Sequence, residues 1–229
     1  MRKGLVYISV LLALMSCDKS AKEQVRKRTT RPAPEKLTMP EAPIVSFEVD
    51  LEDNLRTDWQ NPELIIEMIG ELENKTVADV GAGSGYFSFK LARSADKVIA
   101  LDIDPNALEY INSQKEIVGD WSNNIETRLT PPDVPNLLPN EADVALVVNT
   151  FNYIPEKEAY FNRLLSGMKT NGKLFIIDFK KGNIPVGPAD EYKADVKEIR
   201  TLLRKAGFRG IKEDEKSLQY QFILTAEKR

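Results

Sequence analysis

Residues 77–85 read V-A-D-V-G-A-G-S-G, and an apolar run ending in Asp102 follows. A buried strand, a glycine-rich turn and a second strand closed by a carboxylate form half of a nucleoside-binding α/β fold. Such a turn must pass from strand to helix while its backbone comes close to a ligand, where a Cβ would collide or demand an unfavourable φ. The helix that follows presents unpaired N–H groups at its start. Gly81, Gly83 and Gly85 are spaced G-x-G-x-G. A dinucleotide-binding turn is spaced G-x-G-x-x-G/A, and its last small residue lets helix and strand pack closely. Tyr86 takes that place here, which disfavours a nicotinamide dinucleotide.

From about residue 60 the chain alternates helical and strand-like segments. Leu64, Ile65, Met68, Ile69 and Leu72 share one helical face within Pro62–Leu72, with Asn61 as N-cap and Pro62 at the first position. Thr76–Val80 is a short strand, Tyr86–Arg93 a helix, Lys97–Asp102 a second strand and Pro105–Lys115 a helix capped by Asp104. Ile125–Leu129 reads as strand three. Ala142–Val148 is a nearly unbroken apolar run, as expected of a strand buried on both faces. Glu156–Met168 is helical and closed by Asn171-Gly172, and Lys173–Phe179 is strand five. Asp195–Ala206 is the last helix, stopped by Gly207. Ser217–Ala226 is a final strand, with Phe208–Lys212 as its hairpin partner. Repeated β–α units of this kind predict a Rossmann-like, doubly wound seven-stranded sheet, mainly parallel with an antiparallel C-terminal strand.

Asp102 ends strand two, and ligands of such sheets bind outside the carboxyl ends of the strands. A carboxylate there accepts hydrogen bonds from both hydroxyls of a ribose, and charge-assisted bonds are the stronger kind. Asp104 competes for the role, but Asp104-Pro105 has the form of a helix cap, so Asp102 is preferred. Asp79 lies inside a strand between Ala78 and Val80. A carboxylate in such a place is costly unless partnered.

The glycine turn with Asp79 resembles motif I of the class I S-adenosylmethionine-dependent methyltransferases. The resemblance extends over nearly all of residues 57–229. T-D-W-Q-N-P-E-L-I-I resembles the stretch that precedes motif I in small methyltransferases, with Trp59 and Gln60 near the cleft. D-I-D-P-N-A-L resembles the ribose-binding strand and its helix. D-F-K-K-G-N-I-P-V-G-P with R-K-A-G-F resembles the strand-five region of ubiquinone-biosynthesis and arsenite methyltransferase relatives. It implies S-adenosyl-L-methionine as cofactor, contacted by Asp79, Gly81, Ala82, Gly83, Gly85, Asp102, Ile103, Asp133 and Asn149. The departures are Leu129-Thr130-Pro131-Pro132-Asp133 in place of a G-D-A-like turn, which leaves Asp133 to hold the adenine amino group, and Asn149, Asn152 and Tyr153 where relatives often carry an acid or histidine.

The chain has no histidine, which removes the commonest general base and metal ligand. Methyl transfer from a sulfonium needs alignment and electrostatics from the protein, and neither a metal nor a covalent intermediate. Tyr153, Tyr86, Asp178 and Lys180 are the candidates for a base, of which Tyr153 and Asp178 stand nearest the expected acceptor side; the sequence does not choose among them. An already ionised, soft nucleophile such as a thiolate suits a site without a base. The segment from Lys180 to Lys193 reads as a cover over the acceptor side and equally as an ordinary long loop. A net charge of −3 does not point to nucleic acid.

The first residues have the proportions of a signal peptide: Arg2 and Lys3, then the apolar stretch from Leu5 to Met15. This is short of the roughly 20 apolar residues that span a bilayer. Leu14-Met15-Ser16-Cys17 resembles the bacterial lipobox, which implies cleavage before Cys17, the chain's single cysteine, and its acylation. The expected organisation is a signal peptide over 1–16, lipidated Cys17 and a basic, proline-containing tether over 17–50, and a methyltransferase domain over 51–229. The product is a membrane-tethered protein of the bacterial cell envelope acting on a small molecule. An uncleaved signal or a displaced start codon would leave it cytoplasmic. The competing class is a non-catalytic exported lipoprotein that uses the same scaffold to bind a ligand.

Overall fold

The computed structural model describes residues 54–229. The residues expected to form a signal peptide, a lipidated Cys17 and a tether lie outside the described residues.

The elements are α1 (Asn54–Gln60), α2 (Pro62–Ile69), β1 (Thr76–Val80), α3 (Tyr86–Ala92), β2 (Lys97–Asp102), α4 (Pro105–Val118), β3 (Ile125–Leu129), β4 (Ala142–Val148), α5 (Lys157–Gly167), β5 (Met168–Phe179), α6 (Val196–Ala206), β6 (Arg209–Asp214) and β7 (Gln221–Glu227). They build one seven-stranded sheet in the order β3-β2-β1-β4-β5-β7-β6. The five strands from β3 to β5 are parallel. β7 is antiparallel to β5, and β6 is antiparallel to β7. This is the α/β fold expected from the alternation.

Period two inside the apolar strands explains the two faces. Val77, Val98, Val144, Leu146 and Ile177 point to one side, where Ile65, Ile69, Leu91 and Ile111 of α2, α3 and α4 cover them. Ala78, Ile99, Ala145, Val147 and Ile176 point to the other, under Phe161 and Leu164 of α5 and Ile199 and Leu203 of α6. With both faces closed, polar side chains have access to a ligand chiefly at the strand ends.

Local chemistry sets the helix starts. Asn61 accepts the Leu64 amide with Pro62 in the first turn, Asp104 accepts the Asn106 amide, and Asp195 accepts the Lys197 amide. Several boundaries differ from the sequence reading, and two of the differences change the organisation. A helix, α1, precedes α2. And α5 ends at Gly167, so that Asn171-Gly172 falls within β5 rather than closing the helix. The reason is pairing: Met168 turns extended and joins Ala142 of β4, while Asn171 and Gly172 exchange backbone hydrogen bonds with Lys228. Asn171 takes φ 63°, and a Cβ on Gly172 would stand 2.8 Å from the Lys169 carbonyl. The residues that resemble a helix stop make a bend within the strand.

Phe161→Ala, in the α5 face of the core, should lower unfolding free energy by about 3–5 kcal/mol. Exposed Leu138→Ala should change it by no more than roughly 0.5 kcal/mol. Urea unfolding of the two variants checks both values.

Candidate active site

The turn after β1 is held between its neighbouring strands. The amides of Gly81 and Ala82 both donate to the Leu101 carbonyl, at 2.8 and 3.0 Å. On the other side a Cβ on Gly81 would stand 2.4 Å from Thr150 Oγ1, and Thr150 is itself fixed by donating to the Val148 carbonyl. Gly81 is therefore a packing requirement. Gly83 differs: its φ is +54°, and nothing lies within 4 Å of where a Cβ would be. It leaves backbone bare toward open space, as close ligand approach requires.

Asp102 stands at the end of β2 with both carboxylate oxygens engaged. Oδ2 accepts the Gly83 amide at 2.7 Å and Oδ1 accepts the Asp104 amide at 2.9 Å. The carboxylate is thus locked to the glycine turn. Asp104 caps α4, as the sequence indicated, and Ile103 between them is exposed. Ala82 is at the edge of burial.

Asp79, one residue before the end of β1, is buried and accepts a 2.7 Å hydrogen bond from Ser88 Oγ of α3. Burial pushes its pKa up to about 6, and the Asp102 charge adds to the rise. The Ser88 hydrogen bond and the Arg56 charge act the other way. Arg56 lies on α1 and stacks 4.2 Å over the Tyr86 ring, while Tyr86 and Thr57 share a 2.9 Å hydroxyl contact. Tyr86, which replaces the small residue of the dinucleotide turn, serves here as the seat of α1.

A line of amides runs from α1 across the strand ends. Arg56 Nε donates to Gln60 Oε1 at 2.7 Å, Gln60 Nε2 to Gln221 Oε1 at 3.1 Å, and Gln221 Nε2 to Asn149 Oδ1 at 2.5 Å. Gln60 and Gln221 are fully buried. Asn149 takes φ 55° at the end of β4. Trp59 packs on Phe179 with ring centroids 5.5 Å apart. Asp133 is engaged with Arg163, its backbone carbonyl accepting from the guanidinium at 2.6 Å and its carboxylate 3.7 Å from it.

The residues expected on the acceptor side lie on β5, the short turn Phe151–Tyr153 and the loop that follows Phe179. Asn152 Nδ2 donates to the Tyr192 carbonyl and ties that loop to the turn. Asp190 accepts the Gly182 amide at 2.6 Å, and Lys193 donates to the Gly182 carbonyl at 2.7 Å. Asp178 is buried, with its pKa raised to about 6 chiefly by desolvation. The Tyr153 phenol is pushed up by burial and then by the Asp178 charge.

The structure brings Asp79, Gly81, Gly83, Gly85 and Asp102 together around one turn, and Tyr153 and Asp178 together at another. Arg56, Ser88, Thr150 and Gln221 escaped the sequence reading. Ser88 follows the turn by one helical step and was within reach of a periodicity argument. Gln221 was not, because only the sheet order brings β7 beside β5.

A family described as a methyltransferase domain matches residues 71–221. The chain belongs to that methyltransferase family. A tRNA U34 carboxymethyltransferase of Ruthia magnifica subsp. Calyptogena magnifica is 30% identical over 174 residues, covering 69% of this chain and 54% of that protein. Phosphoethanolamine N-methyltransferase 1 of Triticum aestivum is 26% identical over 175 residues, covering 70% of this chain and 34% of its own. The chain thus spans about half or less of the length of these relatives. Among solved structures, a SAM-dependent methyltransferase from Aquifex aeolicus superposes with a TM-score of 0.73 at 26% identity, over 80% of this chain and 96% of that one. Phosphoethanolamine N-methyltransferase 2 of Haemonchus contortus, solved with S-adenosyl-L-methionine, shares the fold at 15% identity and a TM-score of 0.62, over 81% of this chain and 60% of its own.

The cofactor of this methyltransferase family, S-adenosylmethionine, fits what the turn presents. Gly83 leaves open space, Asp102 offers a carboxylate at the strand end, and Ser84 Oγ within the turn is buried with no hydrogen-bond partner among the described residues. Asp79 adds a negative charge suited to a cationic ligand.

Asp79 yields a test. Between the ordinary aspartate pKa and about 6 the folded protein holds a proton that the unfolded chain has released. Stability therefore falls as pH rises through that window. Asp79→Asn removes the buried charge and should raise unfolding free energy at pH 7 by about 1–3 kcal/mol. The gain should vanish near pH 4, and the variant should bind S-adenosylmethionine more weakly than the wild type. Urea unfolding at the two pH values, with calorimetric titration of the cofactor, measures both effects.

Proposed function

We propose that this methyltransferase domain is catalytically active and transfers a methyl group from S-adenosylmethionine to a small-molecule acceptor. The observation that carries the reading is the turn itself, with Gly83 bare toward open space and its amide bonded to the Asp102 carboxylate. Asp102 would hold the ribose, and Asp79 would face the amino end of the cofactor. Gly81, Ala82 and Gly85 would shape the turn around it. Ile103 would pack beside the adenine, with Asp133 near its amino group and Asn149 at the rim. The bound cofactor supplies an electrophilic methyl. The chain supplies orientation through its strand ends, shields the acceptor with the Lys180–Lys193 loop, and offers Asp178 or Tyr153 as a place for a proton.

A nucleic-acid acceptor is less well supported. The net charge is −3, and the chain spans 54% of the tRNA-modifying relative. We also propose that the domain is tethered to a membrane of the cell envelope through acylated Cys17. The support is the sequence alone: a charged start, an apolar stretch, and the only cysteine standing after Leu14-Met15-Ser16.

Calorimetric titration of the whole chain with S-adenosylmethionine should show one site. Asp102→Ala should weaken it about 10–100-fold, the worth of a charge-assisted hydrogen bond. A folded wild type that binds no cofactor would overturn the reading in favour of an exported binding protein on the same scaffold. Expressed with its leader in a bacterial host, the protein should partition into membranes and label with fatty acid, and Cys17→Ser should abolish both.

A further inference from the structure

Asp178 sits one residue before the end of β5, 4% exposed. Its Oδ1 accepts the Phe179 amide at 2.7 Å. The Phe151 amide, at the head of the Phe151–Tyr153 turn, also favours the ionised carboxylate. Its Oδ2 is buried and has no hydrogen-bond partner among the described residues. Native proteins seldom leave a buried polar atom unpaired, and such an atom calls for an explanation.

No neighbouring cation supplies it. Lys157 on α5 donates to the carbonyls of Asn152 and Ile154, at 3.0 and 2.8 Å. Lys180, just beyond β5, donates to the carbonyls of Leu218 and Gln219, at 2.6 and 3.0 Å. Lys193, buried under the loop, donates to the Gly182 carbonyl and lies 3.6 Å from Asp190. Each ammonium is held by a different partner. The remaining titratable neighbour is the Tyr153 phenol, whose pKa is raised by burial, then by Asp178 and by Tyr192. Desolvation drives the Asp178 pKa up to about 6, opposed only by the two backbone amides. The group is therefore a carboxyl oriented through Oδ1, with its other oxygen buried and unpaired among the described residues and a phenol nearby.

Resting on the methyltransferase reading above, we propose that Asp178 is the specificity-determining residue of the acceptor site and that the methyl acceptor is an amine, bound in its ammonium form by Asp178 Oδ2 beside Tyr153. The charge of an ammonium compensates a buried carboxylate, and a phenol ring favours a cation. An alcohol would fill the hydrogen bond and leave the charge uncompensated. A thiolate would be repelled. In the transfer, Oδ2 takes one proton from the ammonium and frees its lone pair. That pair forms the N–C bond, the C–S bond pair leaves on sulfur, and the product retains one positive charge as a methylammonium. Tyr153, kept protonated, serves as a neutral neighbour rather than as the base.

The test is calorimetric, on the whole chain saturated with S-adenosylhomocysteine. The probes are matched sets of an amine, an alcohol and a thiol on butyl, cyclohexylmethyl and phenylethyl frames. In at least one set the amine should bind tenfold or more tightly than its alcohol, and the preference should fade below pH 6 as Asp178 takes up a proton. Asp178→Asn keeps an Oδ1 for the Phe179 amide, so it should fold and bind S-adenosylhomocysteine like the wild type while losing the amine preference. No amine preference in any set, or one that persists in the variant, would overturn the proposal. A wild type that does not bind S-adenosylhomocysteine would overturn the cofactor reading instead, and the amine sets would then be decided on the unloaded protein.

Discussion

Everything at this site depends on the chain passing between β2 and β4 at Gly81. The Leu101 carbonyl takes two amides of the turn from one side, and the Thr150 side chain closes the other to within 2.4 Å of a would-be Cβ. No side chain fits there. Because the passage is fixed, the next residues have little freedom, and Gly83 emerges with its amide on the Asp102 carboxylate. One steric constraint thereby couples the ends of three adjacent strands. The cofactor side of the cleft follows from that coupling, and α3 starts where the turn leaves it.

The parts legible in sequence are those whose signal is local. The glycine spacing, the caps Asn61, Asp104 and Asp195, and the unbroken apolar strands each carry their meaning within a few residues. Asp102 was legible because strand and carboxylate are contiguous. Asn171-Gly172 misled because the same dipeptide suits a helix stop and a bend in a strand. Pairing of Met168 with Ala142 decides between them, and that contact is distant in sequence. The amide line from Arg56 to Asn149 was invisible for the same reason: its middle member, Gln221, reaches the site only because β7 inserts beside β5.

α1 shows how a short helix gains a place by its contacts rather than by propensity. Seven residues form too few turns to be stable alone. Arg56 stacks on Tyr86, Thr57 meets the Tyr86 hydroxyl, Trp59 packs on Phe179, and Gln60 is buried against Gln221. These four positions engage α3, β5 and β7. The helix therefore joins the side that carries the glycine turn to the side that carries Asp178.

The two buried carboxylates express one physical logic on opposite faces of the sheet. Asp79 shares the face of Val77, and Asp178 shares that of Ile176. Each stands one residue before the end of its strand, and each has its pKa raised to about 6 by burial. A charge so placed lowers the stability of the unliganded fold, since the interior solvates it poorly. The cost falls when a cation arrives, so a cationic ligand gains affinity from the fold's own unfavourable charge. A site built this way favours positively charged ligands at both ends of the cleft, and it does so in a chain without histidine.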